Sequence, residues 1–209
     1  MNNIQYYELT KADVKQAVDL IELSFRQDPM FLSIFRSIKC RKFFIHYLIK
    51  QNNIIGGATT VAISQNKMVA VYLLKPYIAN RFINFLKECQ AFIVFLPLLF
   101  KIGLKSSKQL NDYYKIISKT KPKGPHSYLT LIAVSDHAKG RGVGKMVLQN
   151  IIERLQIENK SQALLLDTEN KENIGFYEHL GFTLTQTKSV NELNIYSMKK
   201  VSSDIQNKN

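Results

Sequence analysis

The sequence predicts an α/β chain, and three stretches of it predict that class. "SYLTLIAV" (127–134) and "QALLLDT" (162–168) are nearly continuous apolar runs, the composition of strands buried on both faces. Between them stand a glycine-rich loop and a helical run. Strand, loop, helix and strand make a βαβ unit, so the two strands are expected to be parallel with a right-handed crossover. "TTVAIS" (59–64) and "MVAVYLL" (68–74) are β-branched runs separated by "QNK", which predicts a hairpin.

In chain order, "IQYYEL" (4–9) predicts a first strand. Thr10 opens "TKAD", a capping-box pattern with Asp13 at the acidic position. Val14, Ala17, Val18, Ile21 and Phe25 then recur at helical spacing. "DPMFLSIF" restarts a short helix with Asp28 as cap and Pro29 as its first residue. Residues 41–51, "RKFFIHYLIKQ", predict another helix. Pro76 ends the second hairpin strand.

Residues 77–118 read as helical and are strongly apolar up to Phe100. The run "AFIVFLPLLF" (91–100) is about half the length of a bilayer span, so it predicts a buried helix or a substrate-facing surface. "KTKPKGPH" (119–126) is a breaker cluster and the expected seam between two halves. From Gly142 a helix presents Val147, Leu148, Ile151, Ile152 and Leu155 on one face. "NKS" (159–161) turns the chain into the second parallel strand, and the polar "KKVSSDIQNKN" at the end is expected to fray. The chain reads as one domain over 1–209: an N-terminal half (1–75), a helical insertion (77–118) and a second half (126–200).

A formal charge of +13 favours anionic partners. Lysines spread over a solvated surface account for it equally well. The basic residues are dispersed and no nucleic-acid reader motif occurs, so nucleic acid is not an expected partner. Cys40 and Cys89 form no C-x-x-C, which argues for a reducing compartment and against a disulfide framework or zinc site. The opening "MNNIQYYELT" lacks a signal-peptide layout. A cytoplasmic location and no membrane partner are therefore expected. No His, Cys or Asp cluster has ligand spacing, so no metal is expected either.

"AKGRGVGK" (138–145) poses the functional question. It is not a P-loop, because Gly140 is one residue too near Gly144-Lys145 and Met146 stands where Ser or Thr is needed. It is not a dinucleotide fingerprint, because Gly140, Gly142 and Gly144 read G-x-G-x-G. Its place is nonetheless that of an anion site: the end of a strand and the start of a helix, where unpaired N–H groups and the helix dipole meet negative charge.

"VSDHAKGRGVGKMVL" (134–148), followed by "NKENIGFYEHLGF" (170–182), resembles the GNAT superfamily of acyl-CoA-dependent N-acyltransferases. "HSYLTLIAV", "LDTENKENIGFYEHLGF" and "FRQDPMFLSIF" are together similar to the branch containing puromycin acetyltransferase and related small-molecule enzymes. The resemblance implies a mixed, twisted sheet of six or seven strands that splays near residues 134 and 167 to admit coenzyme A. It implies that Ile132, Ala133 and Val134 offer backbone to the pantetheine arm, with the Val134 amide near the oxyanion. It implies that Lys139, Gly140, Arg141, Gly142, Val143, Gly144 and Lys145 hold the pyrophosphate. Lys139 stands where the family has Gln or Arg and supplies a point charge without a guanidinium fork. Asn173 matches a residue that hydrogen-bonds the pantetheine. Tyr177 matches the tyrosine that protonates the departing thiolate, against the plainer reading of a ring packed on Phe176, Leu180 and Phe182.

The implied reaction is acetyl transfer from acetyl-CoA to a primary amine of a small molecule, without an acyl-enzyme. A protonated amine must first lose a proton. "SYLTLIAV" carries no acidic residue, so the acceptor of that proton is left between His126, Glu169 and a water chain. His137 and Lys145 are also read as solvated residues, and His46 and His179 as helix-surface ones. Tyr77, Phe82, Phe85 and Phe92 could line a pocket for an apolar amine, although core packing explains them more simply. A catalytically silent acyl-CoA-binding module, a protein or peptide N-acetyltransferase and a nucleic-acid binder are the alternatives. The acceptor, whether a drug-like amine, a polyamine, an amino acid or a protein N-terminus, and a homodimer are left open.

Overall fold

The computed structural model describes residues 4–35, 37–78, 80–120, 122, 124–158 and 163–201, without the side chains of Arg81, Asn84, Glu88, Phe92 and Thr120. The expected turn at 159–161, parts of the 119–126 seam and the tail from 202 onward lie outside the described residues, as does the Phe92 side chain. Lys199 to Val201, read as frayed, instead belong to a strand.

The elements run β1 (Gln5–Glu8), α1 (Val14–Ser24), α2 (Pro29–Ile34), α3 (Ile38–Ile54), β2 (Ala58–Ser64), β3 (Lys67–Lys75), α4 (Arg81–Thr120), β4 (Ser127–Val134), α5 (Val143–Glu158), β5 (Ala163–Thr168), α6 (Asn173–Glu178), β6 (Thr183–Val190) and β7 (Leu193–Val201). The strands form a seven-stranded mixed sheet in the order β1-β2-β3-β4-β5-β7-β6, antiparallel except between β4 and β5. The hairpin turn is tighter than "QNK" suggested. Gln65 and Asn66 alone turn it, both at positive φ (52° and 58°), the two-residue form whose twist suits paired strands.

The local signals act through visible bonds. Asp28 caps α2 by accepting from the Phe31 N–H at 3.1 Å, and Ser37 caps α3 by accepting from the Cys40 N–H at 3.2 Å. In "TKAD" the Asp13 carboxylate accepts from the Thr10 N–H at 3.2 Å and the Thr10 hydroxyl at 2.5 Å, so one half of the capping box is made. Two apolar clusters cover the sheet's two faces. One gathers α1 to α4 around Ile21, Phe31, Phe44 and Leu110, and the other packs α5 and α6 through Val147, Leu148, Ile151 and Tyr177. Arg41 of α3 reaches Glu22 of α1 through Nε (2.9 Å) and Nη2 (2.8 Å), both on Oε1, and joins the two helices across a nearly buried pair.

Two features of the sheet and its helices shape the site. β4 and β5 pair over three residues only, Ser127–Leu164, Tyr128–Leu165 and Leu129–Leu166. At that point β4 carries an extra residue against β3, because Leu73 pairs with Leu131 and Leu74 with Leu129. This bulge at Thr130 bends β4 away from its parallel neighbour, so the sheet opens several residues before Val134. Secondly, α4 is broken at Gly103 (φ 81°, ψ 163°) into two rods. The expectation that 91–100 is buried holds for one face only. Ala91 and Leu98 are buried, whereas Ile93, Leu96 and Phe100 are exposed. Phe82 and Phe85 also face outward and lie outside the core clusters and the aromatic cavity described below.

Candidate functional site

The site begins at the gap between β4 and β5. The Ser135 N–H donates to the Val69 carbonyl at 2.9 Å, which fixes the phase of the antiparallel β3–β4 ladder. Backbone groups alternate sides along a strand. Leu131 and Ala133 therefore bond toward β3, while the N–H and C=O groups of Ile132 and Val134 face the gap. Of the three residues expected to offer backbone, Ala133 turns the other way. Its contribution is a buried methyl group in the first cluster.

Next comes the glycine loop. Gly140 (φ 71°) and Gly142 (φ 77°) adopt the left-handed conformation that disfavours any side chain, and they carry the chain into α5. The first intrahelical bond runs from the Met146 N–H to the Gly142 carbonyl at 3.0 Å. The N–H groups of Val143, Gly144 and Lys145 are thus the unpaired first-turn donors of the helix, at its positive end. Arg141 and Lys145 are exposed beside them. Lys139 has a partner that the sequence did not show. Its Nζ lies 2.7 Å from Asp136 Oδ1, while Arg26 Nη1 lies 3.2 Å from Asp136 Oδ2. The Lys139 hydrogen bond and charge hold the Asp136 carboxyl below its ordinary range, so the loop's edge is an Arg–Asp–Lys cluster.

A cavity of about 330 Å³ adjoins the loop, walled by Asp28, Ile132, Val134, Gly144, Asn173 and Tyr177 among others. Asn173 Nδ2 donates to Thr168 Oγ1 at 3.1 Å, which ties α6 to the end of β5. The Tyr177 ring packs edge-on against Phe176 and Phe182, at centroid separations of 5.3 and 5.8 Å, and also lines this cavity. Burial first, then the charges of Glu169 and Asp28, push its phenol upward, so it stays protonated at neutral pH.

A second cavity, of about 570 Å³, lies on the α3–α4 side. Tyr47, Tyr77, Phe95, Tyr114 and Tyr128 give it aromatic walls, and His126 lies among them. Of the four aromatics considered for such a pocket, Tyr77 lines it; Phe82 and Phe85 are the exposed residues described above.

Glu169, directly after β5, acts by charge on both cavities' walls. Its charge raises the phenols of Tyr114, on the larger cavity's wall, and of Tyr177, on the smaller one's. Tyr113 donates to Glu169 Oε1, and Tyr128 donates to Asp167 Oδ2 at 2.6 Å. Desolvation, and then the like charge of Asp28, raises Glu169 from 4.5 to about 8, against the lowering effect of the Tyr113 bond. Desolvation likewise raises Asp28 to about 6. A carboxyl poised near 8 is suited to exchange a proton with an amine. His126 instead places Nδ1 2.8 Å from the Gly124 carbonyl, beside Tyr77. The structure thus sets Tyr177, Asn173 and the loop on one cavity and His126 on the other, with Glu169 held by Tyr113. Asp28, Tyr113, Asp136 and Arg26 are the residues that sequence reasoning missed. Asp28 was identified only as a helix cap, and a tyrosine from the insertion carries no motif.

His137 Nε2 lies 3.3 Å from Ser135 Oγ, and His46 and His179 are exposed on or beside helices. Among the described residues no group of three or more His, Cys, Asp or Glu is placed to hold a metal ion. Nor, among the described residues, is any helix long and apolar enough to cross a membrane.

The sequence model described as the acetyltransferase (GNAT) family matches residues 13–182. No curated protein matches the chain. Among solved structures, the histone acetyltransferase HPA2 and related acetyltransferase from Corynebacterium glutamicum is 21% identical, with 95% of this chain and 96% of that chain covered and a TM-score of 0.69. The ribosomal-protein-alanine N-acetyltransferase from Brucella melitensis is 16% identical over 94% and 99%, at 0.57. A GNAT family acetyltransferase from Elizabethkingia anophelis with acetyl-CoA bound is 15% identical over 96% and 99%, at 0.54. At such identities the likeness is one of fold.

Proposed function

The chain belongs to the acetyltransferase (GNAT) family, and from that premise we propose that it transfers an acetyl group from acetyl-CoA to the primary amine of a small molecule by direct attack. The observation that carries this reading is a loop-side cavity lined by Tyr177 and Asn173 beside an aromatic one, with Glu169 acting by charge on the Tyr177 and Tyr114 phenols of the two walls. Glu169 is bonded by Tyr113 and raised to about 8 by burial. Acetyl-CoA supplies the acyl group activated as a thioester. The turned glycines Gly140 and Gly142 and the free first-turn N–H groups of α5 fit its pyrophosphate, with Arg141, Lys145 and Lys139 as nearby charges. The gap-facing backbone of Ile132 and Val134 and the amide of Asn173 suit its pantetheine arm.

Each residue then has one task. Glu169 takes the proton that the ammonium must lose before nitrogen can attack. The Val134 N–H faces the oxygen on which charge develops as the C–N bond forms. Tyr177, kept protonated by its surroundings, gives its proton to sulfur as the C–S bond breaks. His126, on the larger cavity's wall, is assigned to acceptor binding.

A volume of about 570 Å³ falls in the range of small-molecule pockets, and its aromatic walls suit an amine borne on an apolar body. This agrees with the sequence resemblance to the puromycin acetyltransferase-like branch. Isothermal titration with acetyl-CoA, followed by a thiol-release screen over small amines and peptides, tests the proposal. Coenzyme binding and turnover of an aromatic or alkyl amine are expected. A folded protein that does not bind acetyl-CoA overturns the whole reading, and turnover of peptide N-termini alone overturns the acceptor class.

A further inference from the structure

We propose that the outer face of the first rod of α4 is a docking surface for an anionic lipid bilayer, an inference independent of the acetyl-transfer reading. Phe82, Phe85, Leu86, Ile93, Leu96 and Phe100 fall within about 100° of one another on a helical wheel at 3.6 residues per turn. They lie opposite the inward Ala91, Leu98 and Ile102. The stripe is open to solvent: Phe82 is 70% exposed, Phe85 60%, Ile93 64% and Phe100 89%, and Leu104, just past the Gly103 break, is also 89% exposed. A helix apolar on both sides has one face that the fold leaves uncovered. Patches of this kind mark interaction surfaces rather than ordinary scatter of exposed residues.

Charge selects the occupant. Lys101, Lys105 and Lys108 accompany the stripe on α4, whereas Lys87 turns inward to the Ile55 carbonyl, and Glu88 is the one acidic residue between 81 and 108. Lys101 lies to the side, with Nζ 3.4 Å above the Phe43 ring, and Lys105 and Lys108 are exposed next to Leu104. A chain of net charge +13 is repelled by a second copy of itself and attracted by an acidic surface. Apolar side chains reaching the acyl boundary, with lysines at headgroup level, are what binds an interfacial helix to anionic lipid. Such a helix lies in the plane of the surface, consistent with no helix here being long and apolar enough to cross it.

The chain has no tryptophan, so Phe100→Trp introduces a single fluorescent reporter into the stripe. With phosphatidylglycerol-containing vesicles its emission should shift to the blue and be quenched by brominated acyl chains. Flotation should show binding that weakens with salt and is much lower on pure phosphatidylcholine. Phe100→Asp combined with Leu104→Asp, both at positions nearly free of contacts, should cut vesicle partitioning by about tenfold or more. Circular dichroism and thermal unfolding establish that the variants remain folded. No binding to acidic vesicles, or equal binding to neutral ones, overturns the proposal. So does a vesicle-free dimer that buries the reporter and is abolished by the double variant, which would give this face to a second copy.

Discussion

Glu169, the proposed base, has an acidity that ties its protonation to stability. The folded chain binds its proton more tightly than the unfolded chain, so the protonated form stabilises the fold. That contribution is complete below the ordinary value of 4.5 and is lost as the pH rises through about 8. Asp28 acts in the same direction between 3.8 and about 6. Glu169→Gln should therefore lose less stability than the parent between pH 5 and 8, by about 2–4 °C in Tm for each kcal/mol relieved. The same variant should lower kcat/KM by about a hundredfold or more and abolish the limb of the pH–rate profile near 8, while acetyl-CoA binding persists. Unchanged turnover in Glu169→Gln would move the base elsewhere, with His126→Ala the next variant to assay. At Gly142 the relevant quantity is backbone angle. With φ at 77°, Gly142→Ala should cost about 1–2 kcal/mol and weaken acetyl-CoA binding, as titration calorimetry would show.

Among elements, α1 and α3 are joined by a polar contact that can be broken cleanly. Arg41→Ala leaves the Glu22 carboxylate buried without its partner, and should cost about 3–5 kcal/mol, on the order of 10 °C in thermal unfolding. Every element with a strong periodic or turn signal was legible in the sequence. The hairpin 59–74, the βαβ unit, the Asp28–Pro29 start and the glycine loop form where their residues predict. What was not legible depends on long-range contact. The β4 bulge at Thr130 is set by register against β3, which "SYLTLIAV" alone does not encode. The outward face of 82–100 could not be told from a buried one, because an apolar residue reads the same on either side of a helix. Lys139 read as a bare phosphate ligand because Asp136 and Arg26 come together only in the fold. Glu169's bond from Tyr113, more than fifty residues away, carries no motif and shows only in the fold.

On the scale of the whole molecule, the sheet is open where its ligand is expected. Three residue pairs join β4 to β5, and beyond Leu129 the two halves are held by covering helices rather than by a ladder. Acetyl-CoA bound in that opening stabilises the folded state by mass action. At a hundred times its Kd the gain is about 2.7 kcal/mol, on the order of 5–10 °C in Tm. Differential scanning calorimetry with and without acetyl-CoA measures it directly, and backbone amides at 132 and 134 should show the largest gain in hydrogen-exchange protection.

The break at Gly103 brings two rods of one helix to the same cavity. Upstream, Ala91 and Phe95 line the aromatic cavity; downstream, Asn111 and Tyr114 line the same cavity while Tyr113 donates to Glu169. Under the proposed reading, changes before residue 103 would reshape part of the pocket wall without touching the Tyr113–Glu169 bond.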